Sequence, residues 1–300
     1  MQRFRRIMVA LTRSERDQSL IRYAALIARL GKPDEVRFVH VPGTENGVKA
    51  KPHDELAAEL SGMVSENFAG VPESVERHFH ILRGSLIDGL LSFAAEQHAD
   101  LIFVGHRPGH RPGRKALIRR LTMKAPCSVW IVPDGSAPEI SRVLVPVDFS
   151  EHSADALDVA AGVANLAGAM ECIALHVYHT NAVITYEESA PIVKGQEEEA
   201  FERFIAPVNL HGVKVRPVFI ESEDIADTIH KVAREQEADL KVMPTRGRSR
   251  SAAILLGSVA EGVIVEARTP LLIVKHFGAK LNLLETLLDR AFRRDSPHFN

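Results

Sequence analysis

The sequence predicts an α/β fold in which two copies of a doubly wound parallel sheet follow one another along the chain. Three observations support this prediction. Short apolar runs alternate with longer amphipathic segments, the same order of runs occurs twice, and a turn-rich stretch separates the two halves. Strands that are apolar without alternation are typical of parallel sheets covered on both faces, where each strand is followed by a right-handed crossover helix.

The internal repeat has a period near 140 residues. Four pairs of segments match in the same order: 6–11 with 142–147, 39–41 with 175–177, 96–101 with 235–240, and 125–126 with 269–270. The offset grows slowly from 136 to 144 residues, which indicates two copies of one domain with loop insertions in the second.

Each copy is predicted to contain five strands and four helices. In the first copy the β-rich apolar runs predict strands at 7–11, 36–41, 78–82, 101–104 and 128–132, and helical spacing predicts helices at 19–30, 53–68, 85–97 and 115–123. In the second copy the strands are expected at 143–147, 172–177, 214–220, 240–243 and 271–274, and the helices at 150–168, 187–205, 224–237 and 254–267. Ser150 is a suitable N-cap for its helix and Gly168 a suitable stop.

Turn residues at 133–138 mark a linker, so we predict a first domain at 1–135 and a second at 140–277. Residues 278–300 form a predicted helical tail, because apolar residues recur on one stripe between 280 and 294. The mixed charge of this tail favours packing on the two domains or on another subunit over association with a membrane.

Composition excludes several classes of protein. With 45% hydrophobic and 25% charged residues the chain is an ordinary globular protein, and no apolar run is long enough for a membrane span or a signal peptide. We therefore expect a cytoplasmic protein. The net charge of −2 gives no reason to expect nucleic-acid binding, although the first 140 residues carry +4 and the remainder −6. Cys127 and Cys172 lie in separate apolar stretches and are expected to be buried thiols of a reducing compartment.

The second copy contains the more informative candidate site. Gly247 follows its fourth strand and is interpreted as a residue with special backbone conformation, and Gly257 and Ser258 stand near the start of the last helix. Their amides and the Ser258 hydroxyl are suited to an anion such as a phosphate chain. Asp148, just past the first strand of this copy, offers a carboxylate to a ribose hydroxyl or an exocyclic amine. In doubly wound sheets such residues meet at the carboxyl ends of the strands.

These residues resemble the universal stress protein family. The likeness rests on the Val-Pro-Val-Asp-Phe-Ser segment at 145–150, on Leu-His-Val at 175–177 and on the Gly-x9-Gly-Ser pattern that starts at Gly247, and it covers both copies. It implies tandem domains of the adenine nucleotide α-hydrolase-like fold, joined as an intrachain pseudo-dimer through their last strands. It also implies a stress-response role, binding of ATP with or without Mg²⁺, and no enzyme mechanism. The nucleotide-binding residues it implies are Pro146, Asp148, Val177, Met243, Gly247, Gly257, Ser258 and Val259.

The sequence departs from the family pattern in both copies. Pro244 stands where the signature has its first glycine and cannot donate a backbone N–H, although Arg246, Arg248 and Arg250 can hold phosphates electrostatically. In the first copy Thr12 replaces the aspartate and Arg114 the phosphate-binding serine, so this copy is predicted not to bind ATP in the family manner. Two alternatives stay open: a protein-interaction module without a nucleotide, and a phosphatase or adenylyl-transferring enzyme. An unidentified protein partner and a homodimer are compatible with either.

Other combinations of residues favour structural roles. His106 and His110 belong to a basic stretch whose prolines argue against a helix, so a solvated loop is favoured over a metal site. His78 and His80 share one face of a strand, but no third ligand is evident, so they are interpreted as edge or surface histidines. Ser150 near His152 is better explained as a helix cap than as a nucleophile.

Overall fold

A computed structural model of the 300-residue chain describes residues 3–42, 52–107, 112–179, 186–247 and 256–275. The ten strands in this part of the chain are β1 (Arg6–Leu11), β2 (Glu35–His40), β3 (Glu76–Ile81), β4 (Leu101–His106), β5 (Ser128–Pro133), β6 (Arg142–Pro146), β7 (Glu171–Tyr178), β8 (Val215–Glu221), β9 (Leu240–Pro244) and β10 (Leu271–Val274). The eight helices there are α1 (Asp17–Gly31), α2 (His53–Asn67), α3 (Leu86–Glu96), α4 (Pro112–Lys124), α5 (Glu151–Ala167), α6 (Tyr186–Ile205), α7 (Ile225–Glu235) and α8 (Ser258–Val265). Each overlaps a predicted element of the same type.

All ten strands form one continuous sheet in the order β3-β2-β1-β4-β5-β10-β9-β6-β7-β8. Within each half the neighbouring strands are parallel, and the half order is that of a doubly wound sheet. The halves join where β5 and β10 pair antiparallel, with Trp130 opposite Leu272. This contact confirms the predicted pairing of the last strands and makes the chain a pseudo-dimer.

The hydrophobic core consists of two layers, one on each face of the sheet, and both layers contain residues from both halves. Leu101 and Phe103 of β4 belong to the layer beneath α1 and α5, whereas Ile102 and Val104 belong to the layer beneath α3, α4, α7 and α8. This alternation explains the unbroken apolar runs of the sequence, since every side chain of a central strand is buried on one face or the other.

The repeat extends to the ends of the helices and to the turns. Ser150 caps α5, since its hydroxyl accepts a hydrogen bond from the Ser153 amide, and Gly168 ends that helix with a φ of 64°. Both assignments were predicted. His98 and Glu237, 139 residues apart, occupy matching left-handed turns with φ of 50° and 49°. The two copies therefore share a backbone path even where their side chains differ.

The helix starts required one correction. We predicted that prolines would keep the stretch before residue 115 out of a helix, but α4 begins at Pro112. Proline is well tolerated at the first helical position because its missing N–H has no intrahelical partner there. The predicted start at residue 254, the tail helix at 280–294, and His110, Arg248 and Arg250 lie outside the described residues.

Side chains also connect the two halves. Arg3 forms two hydrogen bonds of 2.7 Å with the Asp155 carboxylate. Arg119 of α4 lies 2.8 Å from Glu261 of α8, and the Tyr23 hydroxyl donates to the Glu139 carbonyl. Within the described ranges no helix is both long and apolar enough to cross a membrane.

Candidate functional site

The candidate site lies between β6 and β9, at the point in the second copy where the strand order reverses. The chain leaves β6 towards α5 on one face of the sheet and leaves β9 towards α8 on the other. β6 pairs with β9 at Val143 with Leu240 and at Leu144 with Lys241, near the start of both strands. A crevice beyond the carboxyl ends of such strands is the usual ligand position in doubly wound sheets.

Asp148 stands in a tight turn just beyond the carboxyl end of β6. Its Oδ1 accepts hydrogen bonds from the Ser150 amide at 3.1 Å and from the Ser150 hydroxyl at 2.5 Å. Phe149 between them has a φ of 62°, a conformation that is uncommon for a residue other than glycine. The turn thus fixes the carboxylate through its neighbour and leaves Oδ2 directed towards the β9 side.

Gly247 is brought directly against that carboxylate. A Cβ atom at this position would overlap Asp148 Oδ2 and lie 3.4 Å from Cγ, so any larger residue would displace the acid. The prediction that Gly247 has a special backbone conformation is wrong, since its φ is outside the left-handed region. Glycine therefore leaves room for the carboxylate, and the sequence could not show this because the contact joins residues 99 positions apart.

The predicted phosphate end of the site lies at the start of α8. Gly257 is the N-cap residue, with φ −65° and ψ 147°, and among the described residues no side chain caps this end. The Gly257 amide donates to the Thr245 carbonyl at 2.9 Å, which closes the loop from β9 onto the helix start. Ser258 is exposed in the first turn. Within the described ranges the first amides of this helix have no side-chain cap, an arrangement typical of helix N-termini that bind anions.

The remaining predicted site residues surround the same edge of the sheet. Pro146 is the last residue of β6 and pairs with Leu175 of β7, two positions before the half-buried Val177. Met243 is buried in the layer against which Val177 and Val259 pack. Pro244 ends β9 opposite Val274, so the residue without an N–H lies at the carboxyl end of that strand.

His176 supports the Asp148 turn from below, and the sequence reasoning missed this role. Its Nδ1 lies 2.7 Å from the Val147 carbonyl, and its ring stacks on Phe149 with centroids 4.1 Å apart. Its Nε2 lies 3.3 Å from Glu197 of α6. His40 makes the same contact with the Leu11 carbonyl at 2.9 Å. The sequence does contain a signal for this role, because the repeat places a histidine at both 40 and 176. The carbonyl that each histidine contacts is 29 residues away in the chain, so the contact itself could not be predicted.

In the first copy an internal carboxylate occupies the corresponding turn. Asp17, 3% exposed, accepts hydrogen bonds from the amides of Thr12 and Arg13 at 2.9 and 2.6 Å and from the Thr12 hydroxyl at 2.9 Å. Burial raises the pKa of Asp17, whereas these hydrogen bonds lower it. The residue at the matching position of the second copy is Ser153. Thr12 is thus engaged as a donor to the protein itself, which supports the prediction of a degenerate first site.

A buried basic pair lies under α7, on the α8 face of the second copy. Lys241 is fully buried in β9, and its Nζ lies 3.1 Å from Nδ1 of His230. Burial lowers the pKa of Lys241 to about 7, and burial followed by the charge of Lys241 lowers the pKa of His230 to about 4. At the matching positions of the first copy the repeat has Ile102 and Leu91. The pair is therefore a polar substitution in an otherwise apolar layer.

Three residues interpreted as structural from the sequence, Cys127, Cys172 and His106, are buried in the structure. Cys127 and Cys172 are free and buried, as predicted, and burial raises the pKa of each thiol to about 12. We predicted that His106 would lie in a solvated loop. This is wrong, because the residue is 3% exposed at the end of β4. Buried thiols of raised pKa do not act as nucleophiles.

Comparison with known proteins supports this interpretation of the fold and the repeat. The sequence profile of the Universal stress protein family matches residues 3–133 and again residues 139–275. The Universal stress protein MJ0531 of Methanocaldococcus jannaschii is 31% identical over 140 residues, which is 45% of this chain and 81% of that protein.

Solved structures resemble the chain over nearly its whole length. The functionally unknown protein PA1789 from Pseudomonas aeruginosa PAO1 has a TM-score of 0.71 at 20% identity, covering 96% of this chain and 98% of its own. A universal stress protein from Archaeoglobus fulgidus has a TM-score of 0.64 at 19% identity, covering 92% and 97%. At this identity the likeness concerns the fold alone. With the twice-matched family profile, it shows that this chain belongs to the universal stress protein family, as a tandem member with two such domains.

Proposed function

We propose that the second copy binds ATP or a related adenine nucleotide in the crevice between β6 and β9, as a stress-response protein of the cytoplasm. The observation that carries the proposal is the contact of Gly247 with Asp148, because it joins the two halves of the predicted site at the switch in strand order. The first copy serves as a scaffold, since Asp17 already satisfies the amides of its corresponding turn.

The proposed ligand is oriented by two chemically different ends of the crevice. Asp148 accepts a hydrogen bond from a ribose hydroxyl or an exocyclic amine, and the apolar side chains of Pro146 and Val177 border the base. The amides at the start of α8 and the Ser258 hydroxyl donate to phosphate oxygens. Arg246 adds positive charge to the loop where Pro244 cannot donate a backbone hydrogen bond.

Calorimetric titration of the nucleotide-stripped protein with ATP and Mg²⁺ tests this proposal. We expect about one ATP per chain, and we expect the Asp148→Ala variant to bind about tenfold to a hundredfold more weakly, because a charge-assisted hydrogen bond is lost. Gly257→Arg places a long side chain at the phosphate end and is expected to abolish binding while the fold is kept. Thr12→Ala in the first copy is the matched control and leaves affinity and stoichiometry unchanged.

Unchanged affinity in both second-copy variants would overturn the site assignment. No heat and no thermal stabilisation at millimolar ATP would instead favour the protein-interaction module, with Pro244 as the residue that closes the site. We propose binding without efficient turnover, since no base for hydrolysis is identified among the described residues. Appearance of product within hours, dependent on added Mg²⁺, would favour the enzyme alternative.

The His176→Phe variant tests whether His176 positions Asp148. Phenylalanine keeps the stacking on Phe149 but removes the donor to the Val147 carbonyl, so we expect a loss of about 1 to 3 kcal/mol in the free energy of unfolding. We also expect weaker ATP binding. His40→Phe removes the equivalent bond in the first copy and should cost similar stability without changing ATP affinity. Equal affinities for the two variants would exclude a positioning role for His176.

A further inference from the structure

Three potential metal ligands converge at the outer edge of the first copy, far from the proposed nucleotide site. Glu35 lies at the start of β2 and Glu76 at the start of β3, the last strand on that side of the sheet, and the two residues are direct neighbours in the parallel pairing. His78 follows Glu76 by two positions, so its side chain is on the same face of β3. The sequence pattern pointed to His78 with His80. In the structure His78 is joined instead by Glu76 of its own strand and by Glu35 of the neighbouring strand, and His80 is not part of the group.

The separations among the ligand atoms suit a small divalent ion. His78 Nε2 lies 3.2 Å from Glu76 Oε2 and 3.6 Å from Glu35 Oε2, and all three ligand atoms lie within 4.8 Å of one another. Tetrahedral zinc with bonds of about 2.0 to 2.1 Å separates its ligands by about 3.3 Å. Two of the three separations already match, and rotation of Glu76, whose side chain is 71% exposed, can close the third.

The charges around these ligands leave one carboxylate without a fixed cation. Carboxylates on directly paired residues of neighbouring strands repel each other. Arg37 forms hydrogen bonds of 3.1 and 2.6 Å with the two oxygens of Glu35 and neutralises that acid. Glu76 instead lies beside the His78 ring, whose Nε2 is 3.2 Å from its Oε2. With a neutral imidazole the group of Glu35, Arg37, Glu76 and His78 carries one net negative charge, which favours a cation.

The second copy provides an internal comparison. Cys172 pairs with Val215 in the register in which Val36 pairs with Arg77, so Arg216 stands where His78 stands. Arg216 forms an ion pair with Glu171, the counterpart of Glu35. A protein cation therefore neutralises the acid at this position of the second copy, and no metal ligand stands there in place of His78. The ligand set is therefore a feature of the first copy and does not follow from the fold itself.

We propose that Glu35, Glu76 and His78 form a binding site for a divalent transition metal ion of the zinc class. An imidazole nitrogen with two carboxylates favours Zn²⁺ over Mg²⁺ or Ca²⁺, which prefer oxygen ligands alone. Water completes the coordination, because the site faces the open edge of the sheet. The bound ion crosslinks the outermost strand β3 to β2 and neutralises the repulsion between the two acids.

Zinc titration of the full-length protein after treatment with a chelator tests this site. We expect one Zn²⁺ per chain at this site by calorimetry, and Co²⁺ in its place should give the visible absorption of a site with nitrogen and oxygen ligands. His78→Ala and Glu76→Gln should each weaken binding about tenfold or more. Arg37→Gln removes the competing cation from Glu35 and should strengthen binding severalfold.

His211→Ala is the matched control, because His211 pairs with a single carboxylate, Asp158, at 2.7 Å in the second copy. It should leave the Zn²⁺ affinity unchanged. Circular dichroism of His78→Ala establishes that the variant is folded. Absence of binding to the wild-type chain at millimolar Zn²⁺, or equal affinity in the folded His78→Ala variant and the wild type, would overturn the proposal.

Discussion

Replacing the buried pair Lys241 and His230 by the first-copy residues is expected to stabilise the protein by about 2 to 4 kcal/mol at pH 7. The variant Lys241→Ile/His230→Leu reproduces Ile102 and Leu91, which pack in the same layer of the first copy. An apolar pair of suitable size often exceeds a buried polar pair in stability because no charge must leave water. Urea denaturation of the variant and the wild type measures the difference.

The stability gained by the double variant is expected to decrease as the pH rises. Burial lowers the pKa of Lys241 from 10.5 to about 7, so between these values the unfolded chain binds more protons than the folded one. Stability of the wild type therefore rises with pH through this window, and the destabilisation is fully present below pH 7. His230, lowered from 6.5 to about 4, adds a second rise between those values. The double variant lacks both, so its advantage is larger at pH 6 than at pH 9.

The single variant and a surface control separate the causes. Lys241→Ile alone should stabilise less, because it leaves Nδ1 of His230 without its donor. Lys231→Met, at a mostly exposed lysine on α7, should change the free energy of unfolding by no more than about 0.5 kcal/mol. A double variant less stable than the wild type at pH 6 would contradict the assignment of a buried, destabilising charge.

Truncation of Trp130 is expected to cost about 3 to 5 kcal/mol of unfolding free energy. This residue, the one tryptophan of the sequence, is fully buried in β5 and stacks on Phe103 with centroids 5.2 Å apart. It lies opposite Leu272 at the junction of the two halves. Trp130→Ala therefore leaves a cavity beside the contact that makes the sheet continuous. Urea denaturation followed by circular dichroism measures the loss.

Trp130→Phe should cost much less, about 1 to 2 kcal/mol. It keeps an aromatic ring against Phe103, and it removes an indole Nε1 that is buried without a hydrogen-bond partner among the described residues. Met170→Ala, at a side chain left 73% exposed, is the control and should be nearly neutral. Similar losses for the alanine and phenylalanine variants would mean that the junction does not depend on packing at this position.

Much of the architecture was predictable from the chain because it depends on local patterns. The continuous apolar run of β6 and the N-cap Ser150 of α5 are signals contained in a few neighbouring residues. The repeat strengthened these predictions, because each strand or helix predicted in one copy was also predicted at the matching position of the other. The predicted start of α4 at residue 115 was wrong, since the helix begins at Pro112. Proline is compatible with the first turn of a helix as well as with a loop.

The candidate site was predictable only in part, for the same reason: local patterns are visible in the sequence, and contacts between distant strands are not. The residue types of Asp148, Gly257 and Ser258 are evident in the sequence, because Asp148 directly follows a predicted strand and the other two stand near the start of a predicted helix. The reason for Gly247, the support from His176 and the meeting of Glu35 with His78 come from contacts between strands that are distant in the chain. The sequence alone determined the order of elements and their chemistry at the strand ends. Only the tertiary structure decided which side chains touch, because strand register and side-chain direction are set by packing across the sheet.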